Sequence, residues 1–286
     1  MTRWPSFALA LVLVASGCQM TPLTPSVKGI EEYGLVEAPV DHQTLLSSIR
    51  IARLVLGPSA PVNIVAGWNA GADASNLRVF AAAPDGLADN EVMRSDAGCR
   101  CVIAQGAAMT RWLQLQTGQG EERLDVDAHD LLAYMLLHEA GHLVHGDSPE
   151  RVETPASPKH RPGFNLDATA QKDREVAADR YAAGTIAAAM ADRGTDRGIA
   201  ATKIALTLSQ LSWNLAAHRL LDNFGGTGLH RPSLFQDAGL SHPNLEWRIL
   251  SVNDAISSTA ASHKLLTDFE SARRAGPVVL YRSPTP

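Results

Sequence analysis

Two histidines and a glutamate in His138-Glu139-Ala140-Gly141-His142 have the types and spacing of a metal centre that carries its own base. On an α-helix each residue advances about 100°, so His138 and His142 stand about 40° apart, one turn above the other. Two imidazoles placed like this can reach one ion. Glu139 projects beside them, where its carboxylate can take a proton from a water held by that ion. Leu131, Leu132, Met135, Leu136 and Leu137 crowd the i, i+3 and i+4 positions around them, the pattern of a largely buried helix. Polar groups interrupting such a helix are costly to bury without a partner, which favours ligands over two merely satisfied core histidines.

Two protein ligands are one short of a zinc site that keeps its fourth position open for water. The longer pattern His-Glu-x-x-His-x-x-Gly-x-x-His does not continue, because position 145 is His and position 148 is Ser. His145 shares the face but lies about 10 Å along the axis from His138, too far for the same ion. Glu175 fits, on a second helical stretch from Thr169 to Met190. Asp179, one turn later, can accept a hydrogen bond from a ligand histidine's other nitrogen and so set its tautomer. The competing reading makes Glu175 and Asp179 a solvated charged face with Arg174 and Arg180.

A third piece is Ser241-His242-Pro243-Asn-Leu-Glu-Trp-Arg248. Together, His138-Glu-Ala-Gly-His142, Glu175-Val-Ala-Ala-Asp179-Arg and this segment resemble the gluzincin peptidases of the HtpX and CAAX-prenyl-protease type, which include soluble periplasmic lipoproteins. The resemblance covers roughly residues 128–255. It implies a mostly helical α+β, zincin-like metallopeptidase with a small sheet before the metal-binding helix and one Zn²⁺ per chain. By the same resemblance His242 sits near the zinc, as oxyanion partner or as a ligand that blocks water in a resting state. Arg248 would orient the carboxylates around the site, and a sheet edge would hold a peptide by strand addition. The strand-side Asn-Ala-Phe pattern of the family is not clearly present; Asn69-Ala70 is a poor echo. The implied substrates are peptides or unfolded envelope proteins. The alternatives are a lipid-anchored, non-enzymatic chaperone or binding module whose zinc is structural or latent, and a zinc hydrolase of cell-wall amide bonds.

The elements that must position these groups are legible in part. Asp41 caps a helix running to Leu56, with Leu45, Leu46, Ile49 and Ala52 inward, Arg50 and Arg53 in water, and Gly57-Pro58 as its stop. Val62–Val65, Leu77–Phe80 and Cys101–Ile103 read as short strands, and Met109–Gln116 as a helix. Ala128-His129-Asp130 leads into the metal-bearing helix, which stops at His145-Gly146. Ser148 to Ala168 carries four prolines and reads as a flap over the cleft or as plain disorder. Between Ala182 and Leu221 the helical pattern breaks at Gly194–Gly198. Leu206, Leu208, Leu211, Leu215 and Leu220 then suggest a packing helix, with Trp213 in the core and His218 at the surface. Phe224–Gly228 reads as a connector, Pro277–Tyr281 as a strand and Ser283–Pro286 as a fraying end.

The chain has 286 residues, 45% hydrophobic and 19% charged, with net charge −5 and pI near 6.0, enough for a sizeable core. Without a basic bias, and with only 5% aromatics, a nucleic-acid partner has no support. Arg3 and the apolar run Phe7–Ala15 form a signal peptide over residues 1–18, too short to span a bilayer as a mature helix. Ala15-Ser16-Gly17-Cys18 resembles a lipobox, which makes Cys18 the lipidated first residue of the mature chain and its membrane anchor. By resemblance to Gram-negative lipoproteins, Gln19 rather than Asp after it implies the outer membrane, and so a bacterial periplasmic location. Residues 19–40, with Pro22, Pro25 and Pro39, read as a tether, and residues 41–286 as one metallopeptidase domain. Cys99 and Cys101, two apart on one strand face, can be paired, free or bridged to another molecule. Protein partners are not legible in the sequence.

Overall fold

The structure, a computed structural model, describes residues 39–67, 75–81, 93–96, 100–104, 126–147, 166–224, 243 and 245–275. Among these residues the chain is mostly helical α+β, six helices and one small sheet, and the sheet precedes the helix bearing His138.

Helix α1 spans Pro39–Leu56. It starts two residues before Asp41, so the tether ends sooner than expected: a proline in the first helical turn loses no hydrogen bond, because its missing N–H would be unpaired there. Leu45, Ile49, Ala52 and Leu56 recur every three or four residues and are buried, whereas Leu46 is 36% exposed and lies off the inner face. Arg50 and Arg53 are exposed, as expected. Gly57 ends the helix at φ 78°, a conformation open to glycine without a Cβ clash.

Four strands follow: β1 Asn63–Ala66, β2 Asn76–Ala81, β3 Met93–Asp96 and β4 Cys101–Ala104. Their order is β1-β2-β4-β3; β1, β2 and β4 run parallel and β3 pairs antiparallel with β4 at the edge. Every residue of β4 is buried, the continuous apolar run typical of a strand covered on both faces. Strand β3, polar at Arg94, Ser95 and Asp96, carried no apolar alternation and was not foreseen. Cys101 is disulfide-bonded, which removes the free-thiol alternative for it.

Helix α2, Ala128–His145, begins at Asp127, whose extended backbone and side chain accepting from the His129 N–H make an N-cap. It ends in Gly146 at φ 69°, with Gly146 N–H bonded to Leu143 O and Asp147 N–H folded back to His142 O. These two bonds form a Schellman cap. Leu131, Leu132, Leu136 and Leu137 are all buried in the core, where the helix packs against α1, α3 and strands β1 and β2.

Helix α3 runs Leu166–Met190, taking in three residues expected to belong to the preceding loop. After a turn with Gly194 at φ 79°, α4 runs Asp196–Phe224. The break, residues 191–195, therefore lies three residues earlier than Gly194–Gly198, and Gly198 lies inside the helix, its N–H bonded to the Thr195 hydroxyl. Leu208 and Leu211 are buried, but Leu206 is 58% and Trp213 50% exposed, so neither belongs to the core as expected. Helix α5, Leu245–Ser257, packs on α3 and α4, and α6, Ala260–Ala275, covers α5 through Trp247, Leu250, Leu265 and Phe269. No described helix is long and apolar enough to cross a membrane. Residues 1–38, Asn69-Ala70, Cys99, Met109–Gln116, residues 148–165, 225–242 with His242, and 276–286 lie outside the described residues.

Candidate metal centre

Helices α2 and α3 meet at Gly141. A Cβ there would come within 2.9 Å of the Ala178 Cα and 3.0 Å of its carbonyl oxygen, so a bare Cα is what lets the two backbones close up. On α3, Glu175, Asp179, Ala182, Ile186 and Ala189 form the buried face. Glu175 and Asp179 are 6% and 5% exposed, which sets aside the solvated-face reading for both. The close approach carries Glu175 to the histidine pair.

His138 Nε2 and His142 Nε2 are 3.1 Å apart. Glu175 Oε2 is 3.2 Å from His138 Nε2, and Oε1 is 3.6 Å from His142 Nε2. An ion bonded to nitrogen and oxygen at about 2.0–2.2 Å holds neighbouring ligands of a tetrahedron about 3.3–3.6 Å apart. The three groups already stand near those separations, and they form the cluster in the described residues able to hold a metal ion.

The outer nitrogens explain why these atoms face each other. His138 Nδ1 is 2.8 Å from Asp179 Oδ1, and His142 Nδ1 is 3.0 Å from Asp147 Oδ2. A carboxylate only accepts, so each Nδ1 carries the proton and, in a neutral ring, each Nε2 presents a lone pair. Two lone pairs and a carboxylate converging within a mostly buried space could hold a cation. Burial works against the charged form of His138, yet Asp179 outweighs it and the imidazole is pushed up to about 9.

Asp179 is the hub of the surrounding polar groups. It accepts from His138 Nδ1, from the Tyr134 hydroxyl at 2.9 Å, and from Arg248 twice, Nε at 2.7 Å and Nη2 at 2.9 Å. Burial alone would raise its carboxyl; Arg248 and His138 overcome that and hold it well below the usual carboxylate range. Burial and the charge of Asp179 push the Tyr134 phenol well above its ordinary value, so it remains a donor. Arg248 Nη2 also lies 3.2 Å from Glu175 Oε2 and 3.3 Å from both ring nitrogens of His138. Asp147, Asp179 and Glu175 against Arg248 leave two negative charges in excess around neutral imidazoles, the charge a divalent ion would neutralise.

Glu139, next along α2, is half-buried, and its carboxylate has no hydrogen bond or ion pair among the described residues. His145 is exposed and turns its ring edge toward Tyr181, taking no part in the cluster. Of the residues singled out in the sequence, His138, His142, Glu175, Asp179 and Arg248 come together. His242 and Cys18 lie outside the described residues. Tyr134 and Asp147 were not singled out. Gly146-Asp147, directly behind the second histidine, was the available signal for the latter: a glycine cap turns the next residue back over the last helical turn.

No protein-family model, curated protein or solved structure matches this chain. The functional reading therefore rests on these residues and their geometry.

Proposed function

We propose that this chain is a zinc-dependent endopeptidase of the gluzincin type, with a zincin-like domain tethered by lipid at Cys18 to the periplasmic face of the bacterial outer membrane. Its substrates are peptide bonds of unfolded or envelope proteins. The observation that carries the reading is a partnerless carboxylate, Glu139, beside a cluster of three ligands rather than four among the described residues. Three ligands leave a position for substrate, and a free carboxylate beside it has a proton to move.

His138, His142 and Glu175 would hold one Zn²⁺, which supplies Lewis-acid polarisation of the scissile carbonyl and makes water more acidic when bound. Glu139 takes the proton from the attacking water and passes it to the leaving amine nitrogen. Asp179 and Asp147 keep the Nδ1 protons in place, so both Nε2 atoms stay available as ligands. Arg248 grips Asp179 and Glu175 and prevents the two carboxylates from rotating away. His242 is assigned the oxyanion, or the fourth ligand position of a resting state, on the resemblance alone.

Cleavage of an unfolded protein by wild type and Glu139→Gln, each checked for bound zinc, tests this. Loss of about a hundredfold or more in the variant, with zinc retained, is the expected result. Zinc in both proteins with cleavage by neither would favour the non-enzymatic module. Equal cleavage by both would remove Glu139 as the base.

A further inference from the structure

Tyr134, His138 and His142 follow one another at intervals of four residues on α2. Each step of four overshoots a full turn by about 40°, so the three side chains climb one side of the helix together. Two of them are the candidate ligands. The third is a tyrosine, only 6% exposed. A phenylalanine would fill the same space without a hydroxyl, and a hydroxyl is costly to bury unless it is bonded. Its partner is Asp179 Oδ1 at 2.9 Å, the same oxygen that stands 2.8 Å from His138 Nδ1.

We propose that Tyr134 is a positioning residue of the metal centre. It holds Asp179 Oδ1 where that oxygen fixes the Nδ1 proton of His138, and so keeps His138 Nε2 free to bind the ion. The inference rests on reading His138, His142 and Glu175 as ligands. The charge of Asp179 does not need the hydroxyl, because Arg248 already gives it two bonds, Nε to Oδ2 at 2.7 Å and Nη2 to Oδ1 at 2.9 Å. Those two bonds tie the carboxylate to α5. Tyr134 and His138 both reach it from α2. Without the hydroxyl, two of the three remaining bonds to Asp179 among the described residues come from Arg248, and the carboxylate follows α5 instead of the helix that carries the histidines. Arg248 cannot take over the choice of tautomer. Its Nη2 lies 3.3 Å from both ring nitrogens of His138 and so favours neither as the site of the proton. The choice falls to Asp179 Oδ1, and therefore to the group that holds Oδ1 against α2.

Zinc affinity of the full-length chain and of Tyr134→Phe, measured by chelator competition at one pH, tests this. The variant keeps the ring and loses a single oxygen, and a thermal scan of each protein checks that both are folded. The zinc dissociation constant should rise about tenfold in the variant. In the zinc-loaded proteins the His138 Nδ1 proton, followed by nuclear magnetic resonance, should exchange with solvent faster in the variant. The His142 Nδ1 proton, which is bonded to Asp147 instead, should keep its wild-type rate. A hydroxyl that serves stability alone would lower the thermal midpoint and leave zinc affinity and the His138 proton unchanged; that result overturns the proposal. Equal affinity in two zinc-binding proteins removes the role of Tyr134 and leaves the ligand assignment standing, whereas zinc binding by neither protein removes both.

Discussion

At the residue scale, the site depends on two carboxylates that hold no ion themselves. Asp179 and Asp147 each bind the outer nitrogen of one histidine, but their surroundings differ. Asp179 is buried and neutralises Arg248, whereas the Asp147 side chain is 17% exposed and has no arginine or lysine beside it among the described residues. Asp147→Ala should therefore weaken metal affinity by about tenfold and change stability by less than about 1 kcal/mol. Asp179→Ala should do both, since it removes the carboxylate that holds the Arg248 guanidinium through two hydrogen bonds and leaves it Glu175 alone, at a cost of about 3–5 kcal/mol. Chelator competition and thermal unfolding on the two variants read these effects separately; equal losses of stability would mean that Arg248 finds another partner. Tyr134 reached Asp179 from forty-five residues away, and no local pattern in the sequence announced it.

At the scale of elements, the centre is made by the contact between α2 and α3. The contact is close because Gly141 faces backbone, with Ala178 Cα and O filling the space a side chain would need. Gly141→Val should force the helices apart, lower the unfolding midpoint by the equivalent of about 1–3 kcal/mol, and move Glu175 out of reach of His138. Zinc titration of the purified variant should then show binding weakened far more than Asp147→Ala weakens it. Ala178→Gly should not rescue it, because the obstructing atoms are main chain. The sequence motif already contains this glycine, but its purpose is visible only once α3 is packed against it. Helix α4 shows the opposite limit: Leu206 and Leu208 read alike as packing residues, and only the docking angle of the helix put one in water and the other at 0% exposure.

At the scale of the whole molecule, binding at the centre is coupled to folding, because the ligands come from two helices that separate on unfolding. In the metal-free chain His138 titrates at about 9 instead of 6.5. A raised value contributes stability that is complete below 6.5 and is lost as pH rises through about 9. Asp179 is lowered from 3.8, so its contribution is present above that value and is lost as pH falls below it. The metal-free midpoint should therefore be highest between pH 3.8 and 6.5 and decline toward 9. Zinc must displace the His138 proton, so its apparent affinity should rise about tenfold per pH unit up to that value. At a thousandfold excess over the dissociation constant, zinc should add about 4 kcal/mol of stability. Thermal scans with zinc and with chelator at several pH values measure all of this. A midpoint indifferent to zinc would mean that the cluster holds no ion.

The sequence by itself determined the local half of the centre. His138, Glu139 and His142 follow from helical periodicity, which fixes neighbours within one turn whatever surrounds them. Glu175 and Asp179 were legible as a pair by the same rule, and as a candidate ligand and its support only by asking what two histidines still lacked. Tertiary structure decided the rest. It buried the Glu175 and Asp179 face rather than exposing it, brought Arg248 and Tyr134 to one carboxylate, and folded Asp147 back onto His142 through a left-handed glycine. Periodicity reports which residues share a face of a helix. Which face turns inward, and what meets it there, is set by contacts between segments that the chain order keeps apart.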